Sequence, residues 1–253
     1  MIEAGVEFAK VSYAPASPAF KGRALLRGIS LRLEAGTTTA LLGRSGSGKT
    51  TLLRMVNGLA APTEGEVLVA GRSVSDYEIS VLRRSIGYVI QETGLFPHMT
   101  VERNAGLALE VAGRSKAEIA ARAAEVVGLV GLGFGELRGR YPWQLSGGQR
   151  QRVGLARALA TDPGVLLMDE PFGALDPLTR AEMQTMVREL MGKVKKTVLL
   201  VTHDLDEALY LAERVVFLAE GVVVADLAAD EVLGSENPHV KDYVCAVHRG
   251  AQG

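Results

Sequence analysis

The chain has 253 residues, 47% of them hydrophobic and 23% charged, so it has the means to bury a sizeable core and is not a disordered segment. Its 28 Lys and Arg against 29 Asp and Glu leave no basic excess of the kind that binds nucleic acid or acidic membrane surfaces, which points to a small ligand or a protein partner. The single Cys245 excludes an intrachain disulfide, no apolar stretch follows Met1, and the longest apolar runs fall far short of the roughly 18 residues of a membrane span, so a cytosolic chain that reaches a membrane only through a partner is expected.

In chain order, β-branched or Leu-rich runs at Thr38 to Leu42, Gly87 to Ile90, Val165 to Met168, Thr197 to Val201 and Val215 to Leu218 alternate with helical patterns. That alternation predicts an α/β fold with a largely parallel sheet. From about Met99 to Ala160 it stops: Ile119, Ala123, Val126, Val127 and Val130 fall at helical spacing, and Ser115 with Glu118 forms a capping box at the start of that helix. The segment reads as a mainly helical insertion within one α/β domain. The polar stretch after Gly234 reads as a short, weakly ordered tail.

Gly43-Arg44-Ser45-Gly46-Ser47-Gly48-Lys49-Thr50 follows the first strand and precedes a helix carrying Leu52, Leu53 and Val56, closed by Gly58. Glycines in this pattern let backbone N–H groups converge on phosphate oxygens at a helix N-terminus. Lys49 is placed to neutralise the β- and γ-phosphates and Thr50 to ligate Mg²⁺, with Thr51 adjoining them. Alone, the motif says only that a nucleotide binds; the competing reading is a glycine-rich turn.

Val165 to Met168 reads as a buried strand that runs into Asp169, Glu170 and Pro171, and open parallel sheets bind ligands beyond the carboxyl ends of their strands. Asp169 is placed to hold Mg²⁺ through water. If the strand is still extended, Glu170 points the other way and can polarise a water that attacks the γ-phosphate. Two solvated charges opening a loop are the alternative.

Leu145-Ser146-Gly147-Gly148-Gln149 leads into a helix with Val153, Ala156, Leu159 and Ala160 on one face. Ser146 and Gln149 stand at capping-box spacing, but a cap does not explain two consecutive glycines, which are most useful where something approaches the backbone closely. Two candidate phosphate-binding helix starts beside one phosphate loop suggest a two-fold dimer, each copy closing over the other's nucleotide.

Leu145 to Gln149, followed by Arg150-Gln151-Arg152 and Ala156-Arg157-Ala158-Leu159, resembles the signature segment of ATP-binding-cassette (ABC) ATPases, and the order of phosphate loop, signature and Asp169-Glu170 is similar to that family across nearly the whole chain. The resemblance implies a P-loop NTPase fold: a RecA-like, mainly parallel core with an N-terminal antiparallel β part and an inserted α-helical subdomain. It implies one domain over 1–234, with core 1–92 and 160–234 and helical subdomain about 93–159, then a tail over 235–253. It also implies ATP and Mg²⁺, the ion held by Thr50, Gln91 and Asp169, and a sandwich in which Ser146, Gly147, Gly148 and Gln149 of one chain cover the nucleotide of the other.

By the same resemblance Gln91, after the strand Gly87 to Ile90, contacts Mg²⁺ and the attacking water; a polar strand-end residue is the alternative. Asp176 matches the loop that crosses the dimer interface, and with Pro177 it is also an apt helix start. His203 resembles the switch histidine that reaches the γ-phosphate. Tyr13 resembles the aromatic that stacks on adenine, although the stretch Ala14 to Arg23 is long and ordinary packing is the alternative.

The set occurs once, whereas soluble translation-factor relatives carry two modules and chromosome-type relatives a long coiled coil. The resemblance to importers implies a second ATPase subunit, integral-membrane permease chains, an extracytoplasmic substrate-binding protein acting indirectly, no nucleic acid, and a peripheral place on the cytoplasmic face of the membrane. Gly94 to Val101 carries Leu95, Phe96 and Met99, read either as a socket for a permease helix or as side chains folded onto the helical insertion. With Arg83 to Gln91 and Phe172 to Arg180, this segment is similar to ATPase subunits of glycine betaine, choline and related quaternary-amine importers. Many of those carry C-terminal regulatory domains, which a chain reaching only Gly253 is not expected to have.

Overall fold

The computed structural model describes residues 5–15 and 23–247. They begin with β1 (Val6–Tyr13), β2 (Leu26–Leu33), β3 (Thr38–Leu42), α1 (Lys49–Val56), β4 (Glu64–Val69) and β5 (Arg72–Ser73). There follow α2 (Ile79–Ser85), β6 (Ile86–Val89), α3 (Val101–Val111), α4 (Lys116–Leu129), α5 (Phe134–Leu137), α6 (Gly147–Leu159), β7 (Val165–Asp169) and α7 (Pro177–Val194). The last are β8 (Thr197–Thr202), α8 (Leu205–Leu211), β9 (Arg214–Ala219), β10 (Val222–Ala228) and α9 (Pro238–Val247). They form two compact units, Glu78–Lys196 and the remaining described residues.

In the second of these units, β1, β2, β4 and β5 make an antiparallel sheet in the order β2-β1-β4-β5, with Val6 opposite Leu33 on one side and Val69 on the other. Leu26, Ile29, Leu31 and Leu33 of β2 are buried while the residues between them face out, the period of a strand with one wet face. A parallel ladder sets β3 between β8 and β9, in register from Thr38 opposite Val198 to Leu42 opposite Thr202, and β10 extends it antiparallel to β9. Every residue of β3 is buried, which is why its sequence is a continuous rather than an alternating run.

In the unit Glu78–Lys196, β6 and β7 pair in parallel from Ile86 opposite Val165 to Val89 opposite Met168. Helices α3, α4 and α6 pack on one another. The predicted capping box is present, with Glu118 N donating to Ser115 Oγ at 3.3 Å and Ser115 N to Glu118 Oε2 at 2.9 Å. Ala123, Val126, Val127 and Val130 are buried as the spacing requires. Arg122 of α4 donates to the carbonyls of Leu159 and Ala160, satisfying the end of α6.

All five predicted strands are present, each end within one residue of its expected place. The segment after Gly234 differs: in place of a weakly ordered tail, α9 forms, with Val240 fully buried. Its signal was in the sequence, since Val240, Tyr243, Val244 and Val247 follow the i, i+3, i+4, i+7 spacing of an amphipathic helix, after an Asn-Pro start. Residues 16–22, on which the expected displacement of Tyr13 rests, lie outside the described residues. No helix among the described residues is long and apolar enough to cross a membrane.

Leu41 is fully buried at the centre of β3. Leu41→Ala is expected to cost about 2–5 kcal/mol, read as a fall in the urea midpoint at unchanged slope.

Candidate functional site

β3 ends at Leu42 and α1 begins at Lys49, so the six residues between turn the chain from strand to helix. Three glycines make that turn possible. A Cβ on Gly43 would lie 2.2 Å from the carbonyl oxygen of Leu218 and 2.9 Å from Ser47 Oγ. Gly46 and Gly48 have φ of 80° and 103°, in the left-handed region that other residues avoid. Gly48 is the N-cap of α1 and brings no side-chain oxygen to the helix start, so no cap side chain competes there for the first N–H groups.

Lys49 is only 5% exposed, and its ammonium donates to the carbonyls of Gly43 at 2.7 Å and Arg44 at 3.0 Å. The cation therefore lies folded against the loop that precedes it. Ser47 Oγ is buried and has no hydrogen-bond partner among the described residues. A buried ammonium, an orphaned hydroxyl and an uncapped helix start are the groups that a phosphate satisfies together, and this loop fits one.

The parallel register carries a second predicted residue to the same level. Leu42 is opposite Thr202, so Gly43 and His203 leave adjacent strands side by side. Beyond His203, Asp204 caps α8 by accepting from Glu207 N at 3.0 Å. Tyr13, at the end of β1, pairs with Leu26 of β2, whose side chain lies where a Cβ on Gly48 would fall. Tyr13 thus stands on the strand next to the one that abuts the loop.

In the unit Glu78–Lys196, Asp169 ends β7 and is 5% exposed. Glu170 has φ of 45°, so the strand is not extended there, and the alternation of faces does not aim its side chain. A left-handed residue of this kind is strained, and the turn is closed by Gly173 N donating to Glu170 O at 3.3 Å. What aims the carboxylate is Gln91, whose Nε2 donates to Glu170 Oε2 at 3.3 Å. The two residues expected at the attacking water are therefore neighbours.

Ser146 caps α6 as predicted, accepting from Gln149 N at 3.2 Å while Gln149 Oε1 accepts from Ser146 N at 3.0 Å. Gly148 has a packing reason: a Cβ there would lie 2.7 Å from Thr179 Cγ2 of α7. Gly147 has more room, its nearest neighbour being Leu175 Cδ2 at 3.7 Å, so of the two glycines Gly148 is explained by α6 meeting α7 and Gly147 is not. Asp176 caps α7 by accepting from Thr179 N at 3.1 Å, and hydrogen bonding from Thr179 holds its carboxyl below the usual range. The close approach of Gly148 to Thr179 sets the starts of α6 and α7 beside each other.

The protein-family model for ABC transporters matches residues 26–173, from the start of β2 through the turn after Glu170. The chain belongs to the ABC transporter family. Relatives of this ABC chain that are 42–47% identical are ATP-binding proteins for osmoprotectant, choline, carnitine and glycine betaine transport. Among them the osmoprotectant import ATP-binding protein OsmV of Salmonella typhimurium is 47% identical over 81% of this chain and 54% of its own length. The sulfate/thiosulfate import ATP-binding protein CysA of Nocardia farcinica is 50% identical over 78% of this chain and 59% of its own. The chain spans little more than half the length of these curated relatives. Of solved structures, the ATP-binding cassette MJ0796, a dimer bound to ADP and Pi, is 33% identical with a TM-score of 0.76, covering 88% of this chain and 98% of that one.

Three residues of this ABC cassette have structural roles that the sequence did not assign: Asn104, and also Gln151 and Arg157, which entered only as part of the signature resemblance. Asn104 of α3 is fully buried; it accepts from Phe96 N at 2.8 Å and donates to the carbonyls of Phe96, Met99 and Thr100. Arg157, in the last turn of α6, donates to the carbonyls of Gly94 at 2.6 Å and Thr93 at 3.1 Å, and burial lowers its pKa from the usual guanidinium range. Gln151 of α6 is buried and donates to Pro171 O, beside Glu170. A polar residue on the buried face of an amphipathic helix was the available signal. The loop that Asn104 and Arg157 hold divides the two readings made of it: Phe96 is 42% exposed and packs edge-on against His98, while Leu95 and Met99 are half-buried.

Lys49→Ala is expected to weaken binding of a fluorescent ATP analogue by about 10- to 100-fold, the worth of one charge-assisted hydrogen bond, in an equilibrium titration.

Proposed function

We propose that this cassette binds ATP on Gly43 to Thr51 and hydrolyses it as half of a two-fold sandwich. Gly147 and the capped N-terminus of α6 in one copy close over the nucleotide of the other. The observation that carries the reading is the phosphate loop, which brings the buried Lys49 ammonium and a Ser47 hydroxyl with no hydrogen-bond partner among the described residues to a helix start without a side-chain cap. Thr50, Gln91 and Asp169 are the residues that would hold Mg²⁺, which usually takes one or two carboxylates and leaves its other positions to phosphate and water. When bound, the ion neutralises charge on the β- and γ-phosphates.

Within that site Glu170, oriented by Gln91, accepts the proton of the attacking water, and His203 donates to the γ-phosphate. Lys49 exchanges the carbonyls of Gly43 and Arg44 for phosphate oxygens. Tyr13 stacks on adenine, Arg44 and Ser45 present the outer rim of the loop, and Asp176 faces the partner copy. ATP-driven closure of the two copies then works a separate permease docked over the loop at Phe96, on the cytoplasmic face of a membrane, and a binding protein outside delivers the solute.

Quaternary amines are the proposed cargo, on the strength of the osmoprotectant, choline and glycine betaine relatives. A second cargo, an inorganic oxyanion, is favoured by the 50% identity to a sulfate/thiosulfate import protein. Co-purification of the cassette with its permease and binding protein, followed by titration of that binding protein with glycine betaine and with sulfate, separates them.

Glu170→Gln keeps the size and the hydrogen-bonding capacity of the side chain but removes the base. It is expected to slow ATP hydrolysis by ~10²–10⁴-fold and to accumulate an ATP-bound dimer visible by light scattering; a variant that stays monomeric with MgATP overturns the sandwich.

A further inference from the structure

The helix that replaces the expected tail reaches into the candidate site. α9 is anchored at three points: Val240 is fully buried in a cluster with Leu205 and Phe217, Asn237 Nδ2 donates to Val224 O at 2.8 Å, and the Tyr243 ring meets Phe217 edge-on at 5.9 Å and 76°. From this footing Tyr243 Oη donates to the carbonyl oxygen of His203 at 2.6 Å. Thr202 Oγ1 holds the other side of that peptide by accepting from Asp204 N at 3.0 Å. The connection between β8 and α8 is thus pinned once by its own strand and once by a helix 40 residues away in sequence. Tyr243 also lines a cavity of about 730 Å³ that the phosphate-loop residues Gly43 to Ser47 line as well.

We propose that Tyr243 is a positioning residue for ATP hydrolysis, holding the His203 backbone so that the imidazole is already aimed when the γ-phosphate arrives, and that α9 is therefore part of the hydrolytic machinery. The proposal rests on the ATPase reading above. His203 is exposed just beyond the end of a strand, and a backbone already fixed at its carbonyl leaves less ordering to be done when the γ-phosphate arrives. Tyr243 touches no reacting atom on this account. Its hydroxyl acts through His203, and its ring, packed on Phe217, serves the fold.

These two roles separate in Tyr243→Phe, which keeps the ring and removes the hydroxyl. In the whole chain it is expected to lower kcat by about two- to tenfold, the worth of one net hydrogen bond, with KM for ATP unchanged and the thermal midpoint lowered by no more than about 5 °C, so that the folded fraction at the assay temperature stays the same. In a double-mutant cycle, Tyr243→Phe added to His203→Ala is expected to slow turnover no further than His203→Ala alone. An unchanged kcat in Tyr243→Phe beside a crippled His203→Ala, or effects of the two that multiply, overturns the positioning role and leaves the ATPase reading standing. A His203→Ala variant that turns over at the parent rate overturns the role of His203 and the proposal with it.

Discussion

The register of β3 against β8 is the constraint from which the unit carrying the Gly43 to Thr50 loop takes its shape. Parallel strands in step, Leu42 opposite Thr202, release their next residues at the same height, and those residues are Gly43 and His203. Any slip by one residue would turn the side chains of the slipping strand to the opposite face. Burial of all five residues of β3 makes that slip costly, so the core fixes the spacing of the site. β9, paired on the other side of β3, adds a second limit: the carbonyl of Leu218 occupies the space that a side chain at position 43 would need.

The same economy governs the unit Glu78–Lys196. Ser146 Oγ caps α6, so the hydroxyl proposed to meet a partner's nucleotide is already held in place by Gln149 N. Gly148 lets α7 approach closely enough to bring Asp176 beside it. One helix, α6, then reaches three features at once: its first turn carries the segment proposed to cover a partner's nucleotide, Gln151 holds the carbonyl after Glu170, and Arg157 in its last turn grips the carbonyls of Thr93 and Gly94 in the loop that follows Gln91. A rigid rod of thirteen residues is a suitable means of keeping those points at fixed separation.

Strain and order are distributed accordingly. Glu170, a non-glycine residue in the left-handed region, is stabilised by the turn closed at Gly173 and by the hydrogen bond from Gln91. The loop carrying Phe96 is irregular, yet the buried Asn104 satisfies four of its backbone groups, so a surface that presents an aromatic ring outward is held from beneath. Its exposure is thus a property of an ordered segment.

Much of this was legible in one dimension because its causes are local. The phosphate loop needs glycines at set intervals between a strand and a helix, the caps at Ser115, Ser146 and Asp176 need an oxygen three residues before an N–H, and the strand of β3 needs a short run of β-branched and Leu-type residues without polar alternation; each lies within a few residues of chain. What only the tertiary structure decided involves partners far apart in sequence. The aim of Glu170 comes from Gln91, the need for glycine at 148 from Thr179, the anchoring of the Phe96 loop from Asn104 and Arg157, and the hold on His203 from Tyr243. No periodicity encodes such pairs, because each depends on where two separately specified elements come to rest.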